Sequence, residues 1–190
     1  IQQICMKYAN DYIWKDMKTM KLSNRLEMVI SFVKSGESAA DIGTDHGHVP
    51  VELVRRGIVK RAYAMDVRKG PLSKAEENVA MAGLKDKIET RLSDGVNKLK
   101  AGEAETVIIA GMGGETIIHI LSAAPWAKAT GAVTLLLQPM TKAGELRRWI
   151  ADNGYCFTDE RLVWDKDFLY PVFVVTGGNQ VPLTRLQEEY

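Results

Sequence analysis

The chain reads as an α/β domain: a mainly parallel seven-stranded sheet, helices on both faces, and an antiparallel hairpin at its C-terminal edge. Three observations predict this. Short apolar runs alternate with segments of helical spacing through residue 154, the pattern of a parallel sheet covered on both faces. Polar and glycine residues gather at the same end of successive runs, at Asp41–Gly47, Asp66, Ser93-Asp94-Gly95 and Gly111–Gly114. The last two runs, 155–164 and 169–176, follow one another with no helix between, which makes them an antiparallel pair. That final hairpin breaks the all-parallel pattern of the preceding strands.

Taken in order, residues 22–35 predict a helix, with Leu22, Leu26, Val29, Ile30 and Val33 at helical spacing and Gly36 as the stop. A short buried strand ends at Asp41-Ile42, and the acidic glycine turn leads to a helix over 49–56, closed by Gly57. Strand two covers 61–66. The next helix opens at Gly70-Pro71, where proline suits a first helical position, and closes at Gly83. Ile88–Leu92 is strand three and turns at Ser93-Asp94-Gly95. Thr106–Ala110 is strand four, linked by Gly111-Met112-Gly113-Gly114 to a helix over 115–123. Val133–Gln138 is strand five, and a helix near 142–152 ends at Gly154. The tail from Pro182 to Tyr190 reads as the start of another helix.

A chain of 190 residues with 46% hydrophobic and 26% charged content fits one globular domain with a sizeable core. No apolar run is long enough to span a bilayer, and the first residues lack the apolar stretch of a secretory signal. Two cysteines, Cys5 and Cys156, offer neither a disulfide framework nor zinc spacing, so a reducing cytoplasm is expected. A net charge of +1 neither demands nor excludes nucleic acid. RNA contacts would have to come from local clusters, Arg55-Arg56 with Lys60-Arg61 or Lys142 with Arg147-Arg148; solvated helix faces explain each cluster alone better. Position 1 is Ile, so Met17 or Met20 is a candidate initiator. The domain expectation is an extension over 1–19, a catalytic domain over 20–178, and the start of a C-terminal helical extension over 179–190.

The most informative stretch is Asp41-Ile-Gly-Thr-Asp-His-Gly47. Gly43 and Gly47 suggest tight turning and close backbone approach to a ligand. Asp66 lies 23 residues after Gly43, where a carboxylate suits two ribose hydroxyls. A dinucleotide site reads G-x-G-x-x-G and seats a pyrophosphate. Here Asp45 replaces the second glycine and would repel one, while suiting a cationic ligand such as S-adenosylmethionine. Asp94 is placed to accept from an adenine amino group. Gly111–Gly114 would let a substrate approach the backbone and present free amides at a helix start. Met112 either flanks a flat ring or fills a gap. Gln138-Pro139 either offers an amide to a substrate or forms a rigid turn. His46 and His48 raise the question of a metal, but two alternating side chains in a turn rarely converge without further ligands, so none is expected. No G-x-S-x-G elbow marks a hydrolase.

With these residues in view, the chain resembles the bacterial tRNA adenine(22)-N1-methyltransferases. The matching pieces are Lys21–Leu26, Ala40–His46 with Pro50, Gly70-Pro71, Ser93–Gly95, Ile109–Gly114 and Leu137–Pro139, in order over roughly residues 20–176. The resemblance implies a Rossmann-like class I methyltransferase fold, S-adenosylmethionine as donor, tRNA as partner and adenine N1 as acceptor. Carried over by position, it implies Arg25, Asp41, Gly43, Thr44, His46, Asp66, Val67, Asp94 and Gly95 around the donor. It implies Asp45 with Gly111, Met112, Gly113 and Gly114 at the acceptor. Members usually continue into a C-terminal helical, coiled-coil domain thought to help hold tRNA, and this chain stops about where that begins. The readings that compete are a methyltransferase of the same fold acting on a small molecule or protein, and a silent module that binds S-adenosylmethionine or RNA. A nicotinamide dehydrogenase is disfavoured by the acid in the glycine loop. Oligomeric state is open.

Overall fold

The computed structural model describes residues 22–129 and 131–178. The expected extension at 1–19 with its candidate initiators, Cys5, and the helix expected from Pro182 all lie outside these residues. Seven strands form one sheet: β1 Gly36–Ile42, β2 Val59–Asp66, β3 Ile88–Leu92, β4 Thr106–Gly113, β5 Thr134–Thr141, β6 Tyr155–Asp165 and β7 Phe168–Gly177. Five α-helices accompany it: α1 Asn24–Ser31, α2 His48–Arg55, α3 Lys69–Met81, α4 Gly114–Ser122 and α5 Ala143–Asp152. The spatial order is β3-β2-β1-β4-β5-β7-β6. The first five strands pair in parallel, while β7 runs antiparallel to both β5 and β6. The sheet class and the closing hairpin match the sequence expectation.

Two apolar layers sandwich the sheet. Val29, Ile30 and Val33 join Val49, Leu53, Val79 and Ile108 on the face carrying α1 to α3. Ile117, Leu121, Leu146 and Ile150 meet Ile109, Leu137 and Phe173 on the face carrying α4 and α5. Sheet residues facing opposite layers alternate, as in Ile108 and Ile109, because successive strand side chains point to opposite sides. A buried carboxylate, Glu52 of α2, receives Arg55 and Arg56, and Arg56 reaches on to Glu27 of α1.

Several boundaries differ from expectation for physical reasons. α1 begins at Asn24, after Ser23 caps it, and ends at Ser31, although Val33 beyond it still packs in the core. β4 runs through Gly111-Met112-Gly113 with register shifts against β5, so this segment is an irregular strand end and not a free loop. β5 likewise continues to Thr141, placing Gln138 and Pro139 inside a strand.

Candidate functional site

The chain steps outward from β1 through β2 to β3, then returns to the other side of β1 as β4. Helices following these strands leave on opposite faces, and the divergence opens a crevice above the strand C-termini, where open α/β sheets bind ligands. A cavity of about 390 Å³ occupies that place. Its lining includes Arg25, Asp41, Gly43, Thr44, Asp45, Asp66, Val67, Asp94, Gly95, Gly111 and Met112. Three expected positions, His46, Gly113 and Gly114, do not line it.

The acids differ in setting. Asp41 ends β1 almost fully buried, and Thr44 Oγ1 donates to its Oδ2 at 2.7 Å. Burial pushes its carboxyl up to about 7; the Thr44 hydroxyl works against this, while Asp66 and Asp45 add repulsion. Asp66 ends β2, also buried, and one of its oxygens accepts the Arg68 amide at 2.8 Å. Its other oxygen accepts no hydrogen bond from the described residues and faces the cavity lining where a ligand could reach it. Asp94 follows β3 with its side chain exposed. Its neighbour Ser93 is buried and braces the turn, donating to the Gly95 carbonyl and accepting the Lys98 amide.

Asp45 stands at the rim, its side chain 67% exposed, with φ at 30°. His46 follows at 66°, so two consecutive non-glycine residues hold left-handed backbone. Such conformations cost on the order of 1–3 kcal/mol each and persist where surrounding structure imposes them. The Asp45 carboxylate accepts none of the loop's own amides, and its Oδ1 lies 3.4 Å from His46 Nδ1. The ordinary turn-forming role of aspartate is therefore not the one this residue plays.

Arg25 of α1 reaches the ends of β4 and β5 at the cleft. Its Nη1 donates to Gln138 Oε1 at 2.6 Å, and its Nε lies 3.5 Å from Asp165 Oδ2, an ion pair without hydrogen-bond alignment. Gln138 is wholly buried; the same oxygen accepts the Gly111 amide at 3.1 Å and its NH₂ donates to the Pro139 carbonyl. Neither expectation for Gln138-Pro139 holds as stated, because the amide is spent on Arg25 and the strand. The Gly111 amide is likewise taken and is not free for substrate. A Cβ on Gly111 would fall 3.2 Å from Arg25 Nη1, at a φ of 77°. A Cβ on Gly43 would fall 2.1 Å from Met112 Cε, so the loop and the β4 end close on each other there.

The lining also holds Arg68, Thr116, His119 and Ile120, none singled out from sequence, and His48, weighed there only as a metal ligand. Thr116, His119 and Ile120 sit at i, i+3 and i+4 on α4, so one helix face turns to the cleft. Burial, with His46 adjoining, lowers the pKa of His48, and its buried Nδ1 has no hydrogen-bond partner. Among the described residues no group of three or more metal-ligating side chains converges.

Comparison with known proteins adds a second line of observation. Residues 22–173 match a family model described as a methyltransferase domain. The tRNA (adenine(22)-N(1))-methyltransferase of Bacillus subtilis is 37% identical over 164 residues, covering 86% of this chain and 68% of that protein. A Streptococcus pneumoniae protein solved in complex with S-adenosyl-L-methionine superposes with a TM-score of 0.84 at 37% identity, covering 90% of this chain and 79% of that one. An M. capricolum protein solved with S-adenosyl-homocysteine superposes at 0.79 with 31% identity, covering 89% and 75%.

Proposed function

The chain belongs to the tRNA (adenine(22)-N(1))-methyltransferase family, and on that premise we propose how its own residues serve methyl transfer from S-adenosylmethionine to N1 of adenine 22 in tRNA. The observation that carries the reading is the row of carboxylates at three successive strand ends, Asp41, Asp66 and Asp94, around the β1/β4 switch point. A cavity of this volume suits a nucleoside-sized ligand. Its four acids, Asp41, Asp45, Asp66 and Asp94, outnumber its two arginines, Arg25 and Arg68, which suits a positively charged ligand without phosphate. The free oxygen of Asp66 would take the ribose hydroxyls, Asp94 the adenine edge, with Val67 and Ile120 as apolar walls, and buried Asp41 with Thr44 the polar end. Bound there, S-adenosylmethionine supplies a methyl group on a cationic sulfur.

Adenine N1 carries an in-plane lone pair and needs no base to free it, so the protein's task is alignment. Arg25, fixed by Gln138 and Asp165 over Gly111, is a rigid wall for the acceptor side. Asp45 projects a full negative charge at the rim, with no backbone donors to satisfy, toward the place where the methylated ring becomes cationic. N1 lies on the Watson–Crick edge, so the base must leave its stack to enter. No helix among the described residues is long and apolar enough to cross a membrane; a tRNA substrate supports a cytoplasmic location.

The test is incubation with methyl-labelled S-adenosylmethionine and bacterial tRNA, followed by mapping of the modified base. Label at N1 of adenine 22, lost when that position is changed to guanine, is expected. Label elsewhere, or on protein or small molecules alone, would overturn the acceptor assignment.

A further inference from the structure

The β6–β7 ribbon outruns the sheet. β7 pairs with β5 only from Phe173 to Thr176, so residues 168–172 and their β6 partners 161–165 continue as two strands past the end where the cleft opens. A lone two-stranded ribbon is marginal in water, and this one is held from one side by α1. Val163 packs into the layer beneath α1 with Tyr170 beside it. Asn24 donates its side-chain amide to the Trp164 carbonyl at 3.1 Å, and Asp165 pairs with the cleft residue Arg25.

Cross-strand partners share a face, and faces alternate along a strand. With the Val163–Tyr170 pair turned to α1, the pairs Leu162–Pro171 and Trp164–Leu169 occupy the opposite face. Among the described residues no element covers them: Leu162, Trp164 and Leu169 are 58%, 62% and 44% exposed, while Phe168, paired with Asp165 on the other face beside Tyr170, is 64% exposed at the turn. Of seven large hydrophobic side chains exposed among the described residues, these are four. Such concentration on one rigid projection marks a contact surface.

We propose that this ribbon tip is an RNA-contact surface, on which unpaired tRNA bases near the target adenine stack against Trp164 and Phe168. The proposal rests on the tRNA reading above. Extruding one base leaves its neighbours with uncovered faces, and an aromatic side chain on a braced support replaces the lost stacking whatever the base. The tip is continuous with the acceptor side of the cleft, since Arg25 is shared between them. Elsewhere Arg55 and Arg56 pair with Glu52 and Glu27, Lys60 with Glu37, Lys142 with Glu115, and buried Arg147 with Glu160. The ribbon turn itself sets one exposed cation, Lys166, between Asp165 and Asp167, so the contact argued here is base stacking and not phosphate attraction.

The experiment compares wild type, the double variant Trp164→Ala/Phe168→Ala, and Trp164→Phe, measuring KM and kcat for tRNA, donor affinity by calorimetry, and sedimentation. The double variant is expected to raise the tRNA KM by roughly tenfold or more, the scale of one lost base stack. Its kcat and donor affinity should stay near wild type, and Trp164→Phe should recover most of the KM. Because both side chains are mostly exposed, the fold should persist, and intact donor binding checks it. Quenching of Trp fluorescence by tRNA that disappears in Trp164→Phe would support the contact independently. An active wild type with an unaltered double variant overturns the stacking surface alone. Altered sedimentation with unaltered tRNA KM overturns it in favour of a second copy on the ribbon. A wild type that leaves tRNA unmethylated overturns both this proposal and the reading beneath it.

Discussion

Asp41→Asn should make the protein more stable at alkaline pH, an unusual outcome for a change in the centre of a ligand site. Asp41 is 5% exposed, and burial holds its carboxyl at about 7 against an ordinary 3.8. The folded protein therefore binds this proton more tightly than the unfolded chain. The associated stability is fully present below about pH 3.8 and is lost as pH rises toward 7, after which it stays flat. At ~1.4 kcal/mol per pH unit, the whole interval amounts to about 4 kcal/mol, an upper figure because water entering the cleft would reduce it. Between about pH 5.5 and about pH 8.5 the wild type should lose ~2 kcal/mol relative to the variant, which keeps an acceptor for the Thr44 hydroxyl but cannot ionise. Urea denaturation of both proteins at the two pH values measures the difference directly. Parallel behaviour of the two proteins would refute the argument, showing that Asp41 titrates like an exposed acid. The same reasoning reaches function. A cationic donor beside Asp41 favours its ionised form, so wild-type donor affinity should rise with pH up to about 7 and that of Asp41→Asn should not.

Gly111→Ala should destabilise the protein by about 1–2 kcal/mol from its left-handed backbone alone. It should also raise the tRNA KM, because the new methyl pushes on the Arg25 guanidinium; paired denaturation and kinetic measurements separate the two effects. Asp66→Ala should weaken donor binding in calorimetry more than Asp45→Ala does, since Asp66 is buried in the cleft wall and Asp45 stands at its rim. Asp45→Ala and Asp45→Asn should both lower kcat by at least about tenfold, the order expected for removing a charge that meets a developing cation. Near-normal turnover in both would make Asp45 a structural residue of a strained loop.

Much of this was legible in the sequence because strand periodicity and glycine turns report local physics. Alternation between apolar runs and helical spacing placed every strand of the sheet, and the lack of a helix between residues 164 and 169 announced the antiparallel pair. Asp41, Asp66 and Asp94 could be assigned to one end of the sheet because each immediately follows an apolar run. What stayed hidden depends on contacts between distant segments. Gln138 lies 113 residues from Arg25, and no local pattern says that its amide is spent on a guanidinium. The strand character of Gly111–Gly113 comes from pairing with β5 through a bulge, which overrides the preference of glycine for loops. The arginine clusters illustrate the same limit. Arg147 reads as a surface cation beside Arg148, yet it is buried against Phe157 and Phe173 with Glu160 as counter-ion.

The arrangement of acids explains how this fold discriminates between ligands that share an adenosine half. A dinucleotide and S-adenosylmethionine both offer ribose hydroxyls to a carboxylate after β2, so Asp66 cannot tell them apart. Discrimination falls to the loop after β1. There Asp41 is buried and Asp45 takes a backbone conformation that glycine would hold without strain. Replacing glycine by aspartate at such a site costs stability, and burying Asp41 costs more as pH rises. A positive charge offsets the electrostatic part of these costs: a pyrophosphate would increase the repulsion, and a sulfonium or α-ammonium group would relieve it. On the proposed reading these acids are arranged in the sense that would select a cationic donor. The same negative rim would then face the acceptor ring as it gains charge, so that one set of carboxylates would serve both binding and transfer.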